Sequence, residues 1–153
     1  MPAGSTGSMA SISDTYIENR HRVQPNHANN HGSVHGGNVM KWMDEVGAMS
    51  AIRAAGEPCV TANVDQLSFE AGVPTGETVV IESYVFETGH TSLRVRLKAF
   101  REDPRTGERE RTTGSYFVFV AVDGDGRPTP VPEVTVGGDR CRRLREAALE
   151  GRE

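Results

Sequence analysis

The stretch His31-Gly32-Ser33-Val34-His35-Gly36-Gly37 leads directly into about eighteen residues with no proline and one internal glycine, Gly47. Apolar residues occupy many positions of this segment: Val39, Met40, Met43, Val46, Ala48, Ala51, Ile52 and Ala54. The glycines before it and Gly56-Glu57-Pro58 after it are typical signals of helix boundaries. The pattern predicts a long helix, and a helix that is apolar nearly all round must be enclosed by other parts of the protein.

The composition describes an ordinary globular chain. Its 153 residues are consistent with one domain that buries roughly two thirds of its unfolded surface. The formal net charge is −4 and no basic stripe is visible, which argues against a nucleic-acid partner. No apolar run reaches the length of a membrane span, and the N-terminus lacks the apolar core of a signal peptide. Two cysteines without a shared motif favour a reducing compartment, so we expect a cytoplasmic protein.

The remaining pattern predicts the order β–α–β–β–β–β. We expect disorder over residues 1–13, one folded domain over 14–136, and a charged helical tail over 137–153. The predicted strands cover residues 16–23, 59–69, 78–87, 92–100 and 111–122. Four consecutive strands joined by short turns indicate an antiparallel sheet.

Details of the pattern refine this α+β architecture. The alternation of apolar residues changes parity near Asp65-Gln66, which predicts a β-bulge. Residues 116–122 are apolar on both faces, so their strand is expected inside the sheet. A curved sheet wrapped around one helix leaves strand edges and helix surface uncovered, and a homodimer is the natural solution.

The start of the long helix is a candidate reaction centre. Its unpaired N–H groups carry partial positive charge, and Gly36 and Gly37 allow a ligand to approach the backbone closely. Such N–H groups can stabilise the oxyanion of a tetrahedral intermediate. Asp44 lies on the same helix face roughly 10 Å further along the axis. Two antiparallel helices related by a dimer axis would bring Asp44 of one chain beside Gly37 of the other, which predicts a shared active site.

A carboxylate can act on a thioester as a general base or as a nucleophile. A thiol has a pKa near 8.5 and leaves as a thiolate without a general acid. The alternative is that Asp44 only faces solvent or pairs with Lys41. His27, His31 and His35 are spaced like metal ligands on a helix, but the surrounding loop residues argue against a helix and we predict no metal site.

The ordered set of motifs resembles a known family. The segments are Asn29-Asn30-His31-Gly32-Ser33-Val34-His35-Gly36-Gly37, Met43-Asp44-Glu45, Val60-Thr61-Ala62-Asn63-Val64-Asp65, Phe69, Gly89-His90-Thr91-Ser92, Tyr116-Phe117-Val118-Phe119-Val120-Ala121-Val122-Asp123 and Pro130-Val131-Pro132. Together they closely resemble the hotdog-fold acyl-CoA thioesterases of the acyl-CoA hydrolase branch, over about residues 16–132. The resemblance implies a hotdog fold with sites at a dimer interface, often in hexamers built from dimers.

The resemblance also implies roles for individual residues. The catalytic group would be Asp44 as carboxylate, Asn29 to hold water or substrate, and Gly37 as oxyanion donor. Expected contacts to the substrate come from His35, Gly36, Thr91, Ser92, Arg94, Arg142 and Arg143. For the arginines, which could hold phosphates of coenzyme A, a solvated strand face and a salt-bridged helical tail are the competing interpretations.

The predicted function is hydrolysis of acyl-CoA to a carboxylic acid and coenzyme A, a step of lipid metabolism that uses no cofactor beyond the substrate itself. Two alternatives remain open at this point. One is a hotdog enzyme that acts on acyl carrier protein, because both carriers present phosphopantetheine. The other is a non-catalytic acyl-CoA sensor or dimerisation module.

Overall fold

The computed structural model describes residues 9–151, which form one antiparallel sheet and two helices. The strands are β1 (Ile17–Arg22), β2 (Cys59–Phe69), β3 (Thr78–Thr88), β4 (Ser92–Glu102) and β5 (Arg109–Ala121). The helices are α1 (Gly36–Ala55) and α2 (Asp139–Glu150). The strand order is β1-β3-β4-β5-β2, so the predicted α+β hotdog architecture is confirmed and β5 is an internal strand. Within residues 9–151, no helix is long and apolar enough to cross a membrane.

Helix α1 packs on the sheet through a stripe that repeats every three to four residues. Its buried members are Val39, Trp42, Met43, Val46, Gly47, Ser50, Ala51, Ala54 and Ala55. A Cβ atom built on Gly47 would lie 3.0 Å from Leu97 and 3.1 Å from the Phe119 ring. The helix therefore lies very close to β4 and β5 at this point. It ends at Ala55 and is capped by Gly56, whose left-handed φ of 68° suits glycine.

The opposite face of α1 is not enclosed, contrary to the expectation from its apolar pattern. Met40, Met49 and Ile52 are between 38% and 45% exposed. A single sheet covers only one side of a helix, and no element within residues 9–151 covers the other side of α1. The apolar residues on this side of α1 therefore form a surface that is exposed to water in a single chain.

Strand β2 forms one edge of the sheet and is largely exposed. It pairs with β5 and with no other strand of the described chain. The predicted bulge is confirmed by a register shift between Asp65 and Ser68, where Gln66 has a φ of 57°. Val64 and Phe69 are also exposed, and they lie on the face of β2 that is turned towards α1. Val60 is exposed on the opposite face, because it pairs with Val120.

Helix α2 packs on the other face of the sheet. The Tyr84 hydroxyl donates to the Leu144 carbonyl at 2.7 Å, and the Tyr116 hydroxyl donates to the Ala148 carbonyl at 2.6 Å. Arg96 lies on this outer face, where a charged side chain would ordinarily be solvated. It is instead only 3% exposed, stacks over the Tyr116 ring and donates to the Ser115 carbonyl.

The predicted disorder of residues 1–13 is wrong for its last part, while residues 1–8 lie outside the described residues. The backbone N–H of Ile12 donates to the Thr135 carbonyl at 3.0 Å, and the Ile12 side chain is fully buried. Ile12 packs in a small outer cluster with Tyr84, Phe86 and Cys141. Because the residues around Ile12 are mostly small and polar, the sequence pattern did not predict that Ile12 is buried.

Replacing Ile12 by alanine is expected to lower the free energy of unfolding by about 2 to 5 kcal/mol, because a fully buried side chain is truncated. Urea denaturation measures this loss. Met9→Ala is the matched control, since Met9 is 54% exposed. Equal stability of the two variants would contradict the anchoring role of Ile12.

Candidate active site

Asp44 lies on the open side of α1, where β2 passes closest to it. The Thr61 hydroxyl of β2 donates a hydrogen bond to Asp44 Oδ1, which fixes the orientation of the carboxylate. Asp44 Oδ2 forms no hydrogen bond or ion pair with any other group of residues 9–151. The two residues border a cavity of about 490 Å³, here called the Asp44 cavity. Its lining consists of Gly37, Met40, Lys41, Asp44, Thr61, Val64 and Phe117.

The start of α1 presents one capped and one open N–H group. The Gly37 N–H donates to the Nδ1 atom of His35 at 3.1 Å, so the N–H predicted to bind an oxyanion is held by a side chain in this state. The Gly36 N–H has no acceptor within residues 9–151. His35 is therefore the N-cap residue of α1. A substrate oxygen that binds the Gly37 N–H must displace His35 Nδ1.

The loop before α1 presents Asn29. Its Oδ1 accepts from the N–H groups of His31 at 2.9 Å and Ser33 at 3.2 Å, so the side chain is locked in the turn. The His27 carbonyl ties this loop to α1, because it accepts from the His35 N–H at 2.7 Å and from the Asn38 amide at 3.0 Å. The backbone N–H of Asn29 donates to the Ser33 carbonyl at 2.7 Å, whereas its side-chain Nδ2 donates to no group within residues 9–151.

Aromatic contacts brace the same loop. The His21 ring of β1 stacks on Trp42 with 4.5 Å between centroids, and His27 meets Trp42 edge-on at 5.1 Å. Burial lowers the pKa of His21, although Glu45 acts in the opposite direction. The stacked ring is therefore favoured in its neutral form, and it holds β1, the loop and α1 together.

Asn29 borders a second cavity of about 390 Å³, here called the Asn29 cavity. It is lined by Asn29, Ser33, Val34, Gly36, Val39, Phe69, Glu70, Ala71, Gly72, Val73 and Thr112. Asp44 is not among these residues. Gly37 and Asp44 are seven residues apart on one helix, about 10 Å along its axis. Within a single chain, one thioester group cannot contact the helix start and Asp44 together.

Thr91 and Ser92 lie far from the helix start of their own chain. Ser92 pairs with Val120 near the end of β5, whereas Phe69, which contacts Gly36, pairs with Thr113. The two pairs are separated by seven residues of β5, roughly 20 Å along the strand. Thr91 and Ser92 are thus at the Asp44 end of the sheet, and Asn29 is at the other end.

The predicted arginine contacts lie on the outer face of the sheet. Arg94 forms a 2.8 Å ion pair with Glu87 and lies over the Phe86 ring, and Arg142 pairs with Asp139 on α2. Arg143 is exposed on the same helix. The sheet separates these three residues from Asp44 and Asn29 of the same chain, so one chain does not bring them together.

The remaining candidates take structural positions. His27 Nδ1 accepts from the Gln24 N–H at 3.0 Å, and no group of three or more potential metal ligands occurs in the described part of the chain. Burial raises the pKa of the Cys59 thiol to about 11, which disfavours a reactive thiolate there.

Two residues of the Asp44 cavity were missed as site residues. Thr61 was quoted only as part of a matching segment, and Lys41 only as an ion-pair partner. The helical spacing of Gly37, Lys41 and Asp44 could have predicted the position of Lys41, because it puts all three residues on one face of α1. Nothing in the sequence alone pairs Thr61 with Asp44, because that contact depends on how β2 passes the helix.

Comparison with known proteins places this geometry in a family. A model of the thioesterase superfamily matches residues 31–108. The uncharacterized acyl-CoA thioester hydrolase YkhA of Bacillus subtilis is 39% identical over 113 residues, which cover 74% of this chain and 66% of that protein. The chain therefore belongs to the thioesterase superfamily, in its hotdog-fold acyl-CoA thioester hydrolase branch.

Solved structures agree over nearly the whole chain. A hexameric acyl-CoA thioesterase, crystallised in its apo form, has a TM-score of 0.84 at 32% identity, covering 93% of this chain and 91% of that one. The acyl-CoA hydrolase of Staphylococcus aureus, solved with butyryl coenzyme A and coenzyme A, has a TM-score of 0.84 at 29% identity, covering 94% and 87%. Alanine variants of the Staphylococcus enzyme have been solved at an asparagine, an aspartate 15 positions later and a threonine a further 17 positions later.

Proposed function

We propose that this chain hydrolyses acyl-CoA thioesters at a site shared by two copies, with Asp44 from one copy and Asn29 and Gly37 from the other. The main support for this proposal is the position of the Asp44 carboxylate, which accepts a hydrogen bond from Thr61 and borders a cavity on the uncovered face of α1. A carboxylate in that position serves no packing role in its own chain. It is placed to meet groups that a second copy brings.

The uncovered surface supports a second copy as the occupant. Met40, Met49 and Ile52 of α1 and Val64 of β2 are exposed apolar side chains, and Met40 and Val64 line the Asp44 cavity. The adjacent edge of β2 carries unpaired backbone groups, which another β2 strand can pair in an antiparallel ladder. An isologous dimer buries both features with the same surface on each copy. The hexameric relative is consistent with further association of such dimers.

The dimer joins the two half sites. When the α1 helices run antiparallel, Asp44 comes beside the helix start of the partner subunit, and the Asp44 cavity adjoins the partner's Asn29 cavity. The same symmetry brings Thr91 and Ser92 of one copy towards the Asn29 end of the other. This arrangement supports the predicted contacts of these residues to coenzyme A.

The chemistry follows from the groups present. Asp44 Oδ2 takes a proton from water while the oxygen attacks the thioester carbon, or the carboxylate itself attacks and forms an anhydride that water then cleaves. In both routes the carbonyl oxygen becomes negative and accepts from the N–H at the start of α1. The C–S bond breaks, the thiolate of coenzyme A leaves, and the acyl group ends as a carboxylic acid, while the proton held by Asp44 passes to the thiolate or to solvent and restores the carboxylate. No cofactor is required, since coenzyme A belongs to substrate and product.

The Staphylococcus variants support the choice of residues. Asn29, Asp44 and Thr61 have the same spacing, 15 and 17 positions, as the asparagine, aspartate and threonine replaced there. Coenzyme A complexes of that relative support free coenzyme A rather than acyl carrier protein as the leaving carrier. A cytoplasmic location completes the proposal.

Asp44→Asn is expected to lower kcat at least about 100-fold, because the amide can neither accept the proton nor attack the thioester. Thiol release from a series of acyl-CoA substrates of different chain lengths measures the loss. Glu45→Gln, a neutralised neighbour on α1, is the matched control and is expected to keep most of the activity.

Comparable activity of wild type and Asp44→Asn would refute the assigned base. Binding of acyl-CoA by the wild type without any thiol release would instead favour the sensor, and release from acyl carrier protein alone would favour the carrier-protein enzyme.

A mixed dimer tests the sharing of the site. Asp44→Asn and Asn29→Ala chains, each nearly inactive alone, are co-expressed so that they pair at random. Mixed dimers then contain one site with both defects and one intact site, so about a quarter of wild-type activity is expected. Activity no higher than that of the separate variants would show that each site is built from one chain.

A further inference from the structure

The Asn29 cavity has a buried apolar inner end. Val34, Val39 and Val73 line the cavity and are at most 9% exposed, so they close it on the side of the protein core. Thr112 is the remaining buried residue of the lining, and its hydroxyl already donates to the Ala99 carbonyl at 3.2 Å. A cavity whose inner end has this composition favours an aliphatic group over a polar one.

Backbone hydrogen bonds fix the walls of this cavity. The Val34 N–H donates to the Val73 carbonyl at 2.7 Å, which ties the loop that carries Asn29 to the segment after β2. At the end of β2, the Glu70 N–H donates to the Thr112 carbonyl at 2.6 Å. The shape of the cavity is therefore set by the fold of one chain, as in a preformed ligand pocket.

Phe69 lies where this cavity meets the start of α1. A Cβ atom built on Gly36 would lie 3.5 Å from both Cε2 and Cζ of the Phe69 ring, so the ring is close to the first turn of the helix. The backbone of Phe69 pairs with Thr113 of β5, which holds the ring in place from the sheet. Phe69 and Gly36 both line the cavity. The ring therefore narrows the cavity beside the N–H groups at the start of α1.

The proposed function determines which part of the substrate enters this cavity, and the step taken here rests on it. The carbonyl oxygen of the thioester lies at the start of α1, and its sulfur leads to coenzyme A along Thr91 and Ser92 of the other copy. The acyl chain leaves the thioester carbon in the remaining direction. The Asn29 cavity borders Gly36 and is closed at its inner end, so the first carbons of the chain pass the Phe69 ring.

We infer that the Asn29 cavity binds the acyl chain and that Phe69 is a specificity-determining residue, which admits unbranched aliphatic chains and rejects chains branched next to the carbonyl. A linear chain presents one methylene at a time to the ring. A methyl branch on the carbon next to the carbonyl widens the chain where Phe69 and Gly36 lie closest. One carbon more or less in a closely fitting apolar pocket changes kcat/KM by roughly 10- to 200-fold.

Butyryl-CoA and isobutyryl-CoA test this inference, because the two isomers contain the same atoms and differ only in branching. The wild type is expected to have the higher kcat/KM with butyryl-CoA. Phe69→Ala removes the ring and is expected to raise the ratio of kcat/KM for isobutyryl-CoA to that for butyryl-CoA by about 10-fold. Phe69→Tyr keeps the ring and is expected to retain the wild-type ratio.

Val64→Ala is the matched control. Val64 is another exposed apolar residue on the side of β2 that faces α1, but it lines the Asp44 cavity. A ratio that changes in Val64→Ala and not in Phe69→Ala would place the acyl chain in the Asp44 cavity and overturn the inference. An unchanged ratio in both variants would overturn it as well.

Size-exclusion chromatography shows whether Phe69→Ala keeps the assembly of the wild type, and Phe69→Leu provides a second variant without the ring if it does not. Failure of the proposed function has a different result. A wild type that releases no thiol from either isomer would refute the hydrolase itself and the inference with it, whereas a wild type that hydrolyses both isomers equally well would refute only the inference.

Discussion

The packing of α1 on one side only is the constraint on which the rest of the structure depends. Gly47 brings the helix so close to Leu97 and Phe119 that the sheet side is filled by helix and strand side chains. No element of the described chain covers the other side, where Met40 and Met49 are exposed. Asp44 and Lys41 lie at the border of that open side, so the candidate chemistry and the apolar surface belong to one face.

This arrangement explains why the candidate functional groups form two separate sets in one chain. Asn29 and the N–H groups of Gly36 and Gly37 are fixed at the start of α1, and Asp44 is fixed about 10 Å further along by Thr61. Each half is well ordered by its own contacts, such as the His27 carbonyl that holds the Asn29 loop. Under the proposed mechanism both halves are needed for hydrolysis, and the Asp44 half borders the exposed apolar side chains of α1 that a second copy would cover.

Local patterns predicted the fold well, because helix and strand periods are properties of short segments. The bounds of α1, the bulge near Gln66 and the internal position of β5 all follow from such patterns. Contacts between segments that are distant in the sequence were harder to predict. The Thr61–Asp44 hydrogen bond and the burial of Ile12 and Arg96 depend on how elements pass each other in space. The capping of Gly37 by His35 also depends on a side-chain rotamer that sequence does not specify.

The most direct test of the shared site is a crystal structure of the Asp44→Asn variant with a bound acyl-CoA, in which slow turnover leaves the thioester intact. The thioester carbon is expected to lie beside position 44 of one subunit, with its carbonyl oxygen at the start of α1 of the partner subunit. Coenzyme A should then pass close to Thr91 and Ser92. A thioester bound within one subunit, or away from position 44, would contradict the account.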